Sequence, residues 1–303
     1  MSAKDYQLPV NQLLAYGRPN IAYPDQWINY VDKLGLTVEH IPELIRLASD
    51  EELDDDDDVE IYAFIHAYRA LGQLKAESAI EPLIKLLGDE ANEWLLEELP
   101  EVFAMIGPTC IGPLADYLTS QGPGTYSKTS AARGLQEIAK AHPDYRDDCV
   151  QHLSDALACH KQQPPDLNGS LVAKLLRLKA TEAVDVIEKA YKEGPMDEMF
   201  CGTWARVQIE LGLATESDFT PEELHHFMPE WMEAIQHAAQ GIRQLTQSKP
   251  SVALPIKIAH PTGLTRFGKG DLASSGQAKS SKPKAGFGPS KNKGKKSKKK
   301  KKR

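Results

Sequence analysis

The sequence lacks the patterns that mark membrane proteins, secreted proteins and disulfide-rich domains. No run of about 18 apolar residues occurs, so we expect no membrane span. The opening stretch MSAKDYQLPV has no basic segment followed by an apolar core, so we expect no signal peptide. The 303 residues include only four cysteines and no CxxC pair, so we expect no disulfide framework. These absences predict a cytoplasmic protein.

Signatures of catalysis are also missing. The chain contains no GxSxG, no Walker-type loop, no HExxH and no His–Glu dipeptide. It has no alternating apolar and polar stretch of useful strand length, which argues against the α/β enzyme folds. We therefore predict that the protein is not an enzyme, and we expect no catalytic residues and no cofactor.

Metal sites are not predicted either. Cys149 and His152 share a helix face, but Cys159 and His160 follow two turns or more later, too far for one tetrahedral site. Residues 50–60 include nine acids, with five consecutive aspartates at 54–58. This acidic run lacks the ligand spacing and turn glycine of an EF-hand loop, so it predicts an exposed loop and not a calcium site.

One helical pattern recurs along the chain. Mostly apolar residues stand at i, i+3, i+4 and i+7, which is one face of an amphipathic helix. Pro42, Pro82 and Pro113 fall in first turns, and Ser78 with Glu81 predicts a capping box. Successive faces start 31 to 39 residues apart. They are Ile41/Leu44/Ile45/Ala48, Ile80/Leu83/Ile84/Leu87, Ile111/Leu114/Ala115/Leu118, Val150/Leu153/Ser154/Leu157 and Ala183/Val186/Ile187/Ala190.

A second helix series lies between these faces. Three of its helices end in an aliphatic residue and a glycine, Gly35, Gly72 or Gly107, which predicts a left-handed residue that closes each helix. One helix pair cannot bury its apolar face, whereas a stack of pairs can. The sequence therefore predicts an all-α protein, an α-solenoid of about five helix pairs. The second series comprises Trp27/Tyr30/Val31/Leu34, Phe64/Ala67/Tyr68/Leu71, Leu99/Val102/Phe103/Ile106, Ala131/Gly134/Leu135/Ile138 and Leu171/Leu175/Leu178.

Two stretches carry a resemblance to a known repeat class. AYRALGQLKAESAIEPLIKLLGD and EVFAMIGPTCIGPLADYL resemble HEAT repeats of the short class named after phycobilisome lyases. LGLTVEHIPELIRLASDEEL and EELPEVFAMIG also resemble an uncharacterised bacterial family of such proteins. The resemblance covers roughly residues 26–212 and implies a HEAT-like solenoid in a bacterial cytoplasm. It implies no assigned reaction, although the class name keeps open a bilin-lyase-like role or a chaperone of a cofactor-bearing protein.

The predicted organisation has four parts. Residues 1–25 form an N-terminal strap, 26–218 the HEAT-like solenoid, 219–248 a capping helix and 249–303 a disordered tail rich in lysine. Thr220, Pro221 and Glu223 have the spacing of an N-cap, a first-turn proline and a capping box.

Charge is segregated between the body and the tail. Residues 249–303 carry 17 Lys or Arg and one acid, which leaves 19 basic and 42 acidic residues in 1–248, so the formal charges are about +16 and −23. A polycation binds phosphate backbones through counterion release, so the tail predicts contact with RNA, DNA or ribosomes. A solubilising tail, docking onto the 54–58 loop and anionic-membrane contact stay open. The binding positions are Lys291, Lys293, Lys295, Lys296, Lys298, Lys299, Lys300, Lys301, Lys302 and Arg303.

We predict a non-catalytic adaptor from these features. The solenoid would bind a protein partner on a concave face, and the tail would attach to nucleic acid or ribosomes. A bilin-lyase-like or chaperone activity is the alternative, and a self-associating structural solenoid is a third possibility. The predicted partner-binding positions are Glu43, Arg46, Glu81, Lys85 and Asp116.

Overall fold

A computed structural model describes residues 6–20, 23–50, 53 and 59–225. Within these ranges every regular element is helical and no strand occurs, which confirms the prediction of an all-α protein. Short 3₁₀ turns precede many of the α-helices. The α-helices are α1 Tyr30–Leu34, α2 Ile41–Ala48, α3 Ala63–Gln73, α4 Ile80–Leu86, α5 Glu93–Ile106, α6 Ile111–Thr119, α7 Thr125–Ala141, α8 Arg146–Ala158, α9 Pro165–Arg177, α10 Val184–Glu193, α11 Trp204–Glu210 and α12 Pro221–Leu224.

Helices two apart along the chain contact each other from α1 to α10. The odd-numbered helices α3, α5, α7 and α9 pack in sequential order, and so do the even-numbered helices α2, α4, α6, α8 and α10. Neighbours such as α2 and α3, α6 and α7, and α8 and α9 also pack together. Each helix from α3 to α8 therefore has helix partners before and after it in the chain.

The apolar faces predicted from the sequence form the core. Leu44, Leu114 and Leu153 are fully buried on α2, α6 and α8, and Leu83 on α4 is 1% exposed. One continuous cluster of buried side chains runs from Tyr6 in the N-terminal segment to residues of α11. Burial at this repeat spacing explains why each helix stays in place although several are shorter than isolated helices need to be.

The predicted helix ends are confirmed in part. Gly35 closes α1 with a φ of 68°, and Gly107 closes α5 with a φ of 117°. Gly72 was predicted to close a helix, and this prediction is wrong: Gly72 lies inside α3, and Lys75 takes the left-handed conformation with a φ of 51°. A Cβ at Gly72 would lie 3.3 Å from the side chains of Met105 and Val102, so the glycine serves close packing of α3 against α5.

The predicted starts of α4 and α12 have opposite outcomes. The prediction of a Ser78–Glu81 capping box is wrong. A 3₁₀ turn at Glu77–Ala79 leads into α4, and the N-cap of α4 is Ala79, which makes no side-chain cap. The capping box of α12 is confirmed: Glu223 accepts a hydrogen bond from the Thr220 backbone at 2.8 Å, and Thr220 accepts one from the Glu223 backbone at 3.3 Å. The rest of the predicted capping helix, residues 226–248, lies outside the described residues. No described helix is long and apolar enough to cross a lipid bilayer.

Candidate functional site

Polar side chains of α3 hold the N-terminal segment, residues 6–20 and 23–29. His66 and Arg69 lie three positions apart and are both 2% exposed. His66 Nε2 donates a hydrogen bond to the carbonyl of Gly17 at 2.8 Å, and Arg69 donates one to the carbonyl of Asn20 at 3.2 Å. Because buried polar groups are costly unless they are paired, these contacts fix where the segment crosses α3.

A second contact fixes the far end of the same segment. Gln73, one turn further along α3, donates to the carbonyl of Ile28 at 2.7 Å and accepts from the backbone N–H of Tyr30 at 2.8 Å. One amide group therefore satisfies two backbone groups where α1 begins. The N-terminal segment is thus attached along two turns of α3.

A buried ion pair lies beneath this segment. The Arg69 guanidinium binds both carboxylate oxygens of Glu98 on α5, with Nε donating at 2.7 Å, and Tyr68 donates to the same carboxylate at 3.1 Å. The guanidinium also lies 4.5 Å from the ring centre of Trp27, a cation–π contact. The pair therefore links α3, α5 and the N-terminal segment.

The geometry around His66 determines its protonation state. The Gly17 carbonyl can only accept, so Nε2 carries the proton and Nδ1 accepts from the Tyr30 hydroxyl at 2.6 Å. Burial lowers the pKa of His66, and the charge of Arg69 lowers it further, although the Gly17 hydrogen bond acts in the opposite direction. His66 is therefore a neutral, structural histidine at pH 7.

We expect His66 to make the fold sensitive to acid. Since its folded-state pKa is lowered, the unfolded chain binds a proton below about pH 6.5 before the folded chain does, and stability falls as the pH drops. His66→Gln keeps a donor for Gly17 and removes the titration. Urea unfolding at pH 7.5 and 5.5 should show a smaller loss of stability for this variant than for the native chain. Equal losses would contradict the expectation.

A cleft opens beside the N-terminal segment, with a volume of about 640 Å³. Its walls come from that segment, α5 and α7. Tyr23 is 76% exposed and Trp94 is partly buried, so their aromatic surface is available to a ligand. Trp27 is 8% exposed, with Arg69 over its ring. Tyr62 supports Trp94 by an edge contact at 6.3 Å between ring centres. The lining residues are Arg18, Tyr23, Pro24, Gln26, Trp27, Glu93, Trp94, Glu97, Glu98, Glu101 and Arg133.

Arg133 of α7 lines the cleft and binds residues of α5. It binds the carboxylate of Glu97 at 2.9 Å and that of Glu101 at 3.1 Å, and it also donates to the Glu97 carbonyl at 3.0 Å. Burial raises the pKa of Glu101, with a further contribution from Glu137, while Arg133 opposes the shift. The cleft therefore offers cationic and anionic groups next to aromatic faces.

The predicted partner-binding positions lie elsewhere. All five are on the even-numbered helices α2, α4 and α6, and none lines the cleft. Glu43 and Arg46 form a 3.4 Å ion pair, and Glu43 also accepts from the backbone N–H of Gln7 at 2.7 Å. Arg46 lies 3.8 Å from the ring centre of Tyr6. The structure thus joins Glu43 and Arg46 to the N-terminal segment and leaves Glu81, Lys85 and Asp116 exposed.

The remaining predicted sites either lie outside the described residues or do not come together as a group of possible metal ligands. The ten basic positions 291–303 and the acidic loop 54–58 are not among the described residues. Within the part of the chain that is described, no three His, Cys, Asp or Glu side chains are placed to hold a metal ion. The cleft was not predicted, because Trp27 was assigned to a helix face. The sequence feature that could have indicated the cleft is a proline-containing stretch in which Tyr16, Tyr23 and Trp27 lie close together.

Comparison with known proteins places the chain in a family. Bilin biosynthesis protein PecE of Mastigocladus laminosus is 34% identical over 94 residues, which are 31% of this chain and 35% of that protein. The match thus spans about a third of the length of this curated relative. No solved structure matches the chain. The family model described as "Protein of unknown function (DUF1186)" matches residues 24–230, more than half of the sequence, and the chain therefore belongs to the DUF1186 family.

Proposed function

We propose that this protein is a non-catalytic bilin-handling protein, which holds a linear tetrapyrrole, free or attached to a partner protein, in the cleft beside the N-terminal segment. The observation that carries the proposal is the cleft itself, with Tyr23, Trp27 and Trp94 next to Arg18 and Arg133. Its volume of about 640 Å³ is within the range of small-molecule sites, roughly 300–1,000 Å³.

The chemistry of a linear tetrapyrrole suits such a lining. Its conjugated rings present flat apolar faces, which pack on the rings of Trp94 and Tyr23. Its propionate groups are anionic and pair with arginine, whereas its pyrrole N–H groups donate to carboxylates such as Glu97 and Glu101. Arginine and glutamate side chains both line the cleft.

Two further observations support the proposal. The match to the bilin biosynthesis protein favours tetrapyrrole chemistry over an unrelated ligand class. The sequential contacts within the odd-numbered and the even-numbered helices support a HEAT-like solenoid, and we propose this arrangement for the helix pairs of residues 26–218. In such a solenoid the cleft lies on the odd-numbered helices, the second series of the sequence pattern.

Removing Trp94 should weaken tetrapyrrole binding. We expect biliverdin to change its visible absorbance on titration with the full chain, and Trp94→Ala to raise the dissociation constant by about tenfold or more, since a central aromatic contact contributes about 2 kcal/mol. Trp204→Ala is the matched control, because Trp204 lies on α11 against Tyr191. An unchanged spectrum with the native chain would overturn the proposal.

A protein adaptor anchored by its basic tail is the second candidate. The charges of about −23 in residues 1–248 and +16 in 249–303 favour it, and Glu43, Arg46, Glu81, Lys85 and Asp116 would then be the partner-binding positions. Binding to ribosomes and labelled RNA or DNA across a salt series should be steeply salt-dependent and absent from a chain ending at Ser248. Equal binding by both chains would exclude the tail as the anchor.

A further inference from the structure

The charged side chains that line the cleft fall into a paired and an unpaired group. Six of the lining residues are charged. Arg133 binds Glu97 and Glu101, and Glu98 binds Arg69 beneath the N-terminal segment. The charges of these four lining side chains are therefore already matched within the protein, and their ion pairs hold the walls of the cleft together.

Arg18 and Glu93 are the unpaired group. Within the described ranges, neither side chain forms an ion pair or a hydrogen bond, with the other or with a third residue. Arg18 lies on the N-terminal segment and is partly buried, whereas Glu93 is the first residue of α5 and is exposed. The two side chains line the same cleft from two different elements. The cleft thus offers a ligand one cationic and one anionic group that the fold itself does not use.

The backbone on both sides of Arg18 is fixed to α3. The carbonyl of Gly17 accepts a hydrogen bond from His66 at 2.8 Å. The carbonyl of Asn20 accepts one from Arg69 at 3.2 Å. A guanidinium group that extends from a fixed backbone loses less freedom on binding than one on a loose segment, and its parallel N–H groups match the two oxygens of a carboxylate. Arg18 is therefore suited to receive an anionic group of a ligand.

We propose that Arg18 binds a propionate group of the tetrapyrrole while Glu93 accepts hydrogen bonds from its pyrrole N–H groups, so that the two residues set the orientation of the ligand in the cleft. This inference rests on the proposed function and adds the residue that selects an acid over an ester. Glu93 precedes Trp94 in α5, so its carboxylate stands beside one of the aromatic side chains of the cleft. Trp94 and Tyr23 contact the rings of acid and ester alike.

Biliverdin and biliverdin dimethyl ester separate the two roles, because the ester lacks the propionate charges and keeps the pyrrole N–H groups. Arg18→Met in the full chain should bind the acid about tenfold or more weakly, the effect of losing a charge-assisted hydrogen bond, and bind the ester unchanged. Arg18→Lys keeps the charge and should recover part of the acid affinity. Arg177→Met, at an exposed position of α9 outside the cleft, is the control and should leave both affinities unchanged.

Glu93→Gln has a different expected signature. It should weaken the binding of acid and ester equally, by about three- to tenfold, because both compounds carry the N–H groups that the carboxylate accepts from. Since neither Arg18 nor Glu93 takes part in an ion pair of the fold, both variants should melt at the temperature of the native chain. Unchanged melting then assigns the affinity losses to binding and not to folding.

The outcomes separate the inference from the proposed function. If the native chain binds neither compound, the proposed function fails. If it binds both and Arg18→Met weakens neither or both equally, the function stands and Arg18 is not the carboxylate site; binding of the ester alone has the same meaning. If Glu93→Gln leaves both affinities unchanged or alters only one, the role of Glu93 is wrong. Added salt should weaken binding of the acid more than that of the ester, and parallel salt profiles would overturn the role of Arg18.

Discussion

Replacing Arg69 by methionine should lower the free energy of unfolding by about 3–5 kcal/mol. The side chain of Glu98 is 11% exposed, so the variant leaves a nearly buried carboxylate without its cation. Tyr68 would still donate one hydrogen bond, but a neutral donor does not offset a buried charge. The Arg69→Met chain also loses the contact to Asn20 and the cation–π contact to Trp27, so the N-terminal segment should loosen.

Two further variants separate the effect of the unpaired charge from the effect of the lost packing contacts. Arg69→Met/Glu98→Gln removes both charges, and urea unfolding followed by circular dichroism should show that it recovers part of the loss. Arg206→Met breaks an exposed ion pair to Glu216 and should cost less than about 1 kcal/mol. A loss for Arg69→Met no larger than that of Arg206→Met would show that the buried pair does not stabilise the fold.

Replacing Gly169 by alanine should destabilise the protein by about 1–3 kcal/mol or more. Gly169 lies inside α9, and an added methyl group would overlap the backbone carbonyl oxygen of Asp197. That backbone cannot move easily, because the Asp197 N–H donates to the carbonyl of Pro165 at the start of α9, at 3.0 Å. The Cβ of Phe200 would also lie 3.4 Å from the added methyl group, in van der Waals contact.

Gly112→Ala is the matched control for this change. Gly112 also lies inside a helix, α6, and nothing lies within 4 Å of an added methyl group. Alanine there should change the free energy of unfolding by less than about 1 kcal/mol, because the gain in helix propensity is opposed by crowding of the new Cβ against the ring of Pro113. A melting temperature lowered far more by Gly169→Ala than by Gly112→Ala reports the overlap at Gly169. Equal shifts would mean that the Asp197 loop yields to the methyl group.

The sequence was informative about many features that depend on local spacing. The faces that begin at Ile80 and Ile111 are buried as predicted, and the capping box at Thr220 forms, because helical periodicity and capping involve residues within a few positions of each other. Gly72 shows the limit of such reasoning. A glycine after an aliphatic residue predicts a helix end, but here the approach of Met105 from α5 requires it inside the helix.

The sequence by itself determined an all-helical chain, its helix positions and its segregation of charge. Tertiary structure alone decided the site. Arg69 and Glu98 are 29 positions apart and meet only when α3 packs on α5. Arg133 reaches Glu97 and Glu101 only through the contact of α7 with α5. On a single amphipathic helix each of these charges has the position of a solvent-exposed residue. Packing of successive helices converts them into a buried ion pair and an ion-paired wall of the cleft, since burial and neighbouring charge are properties of the folded chain.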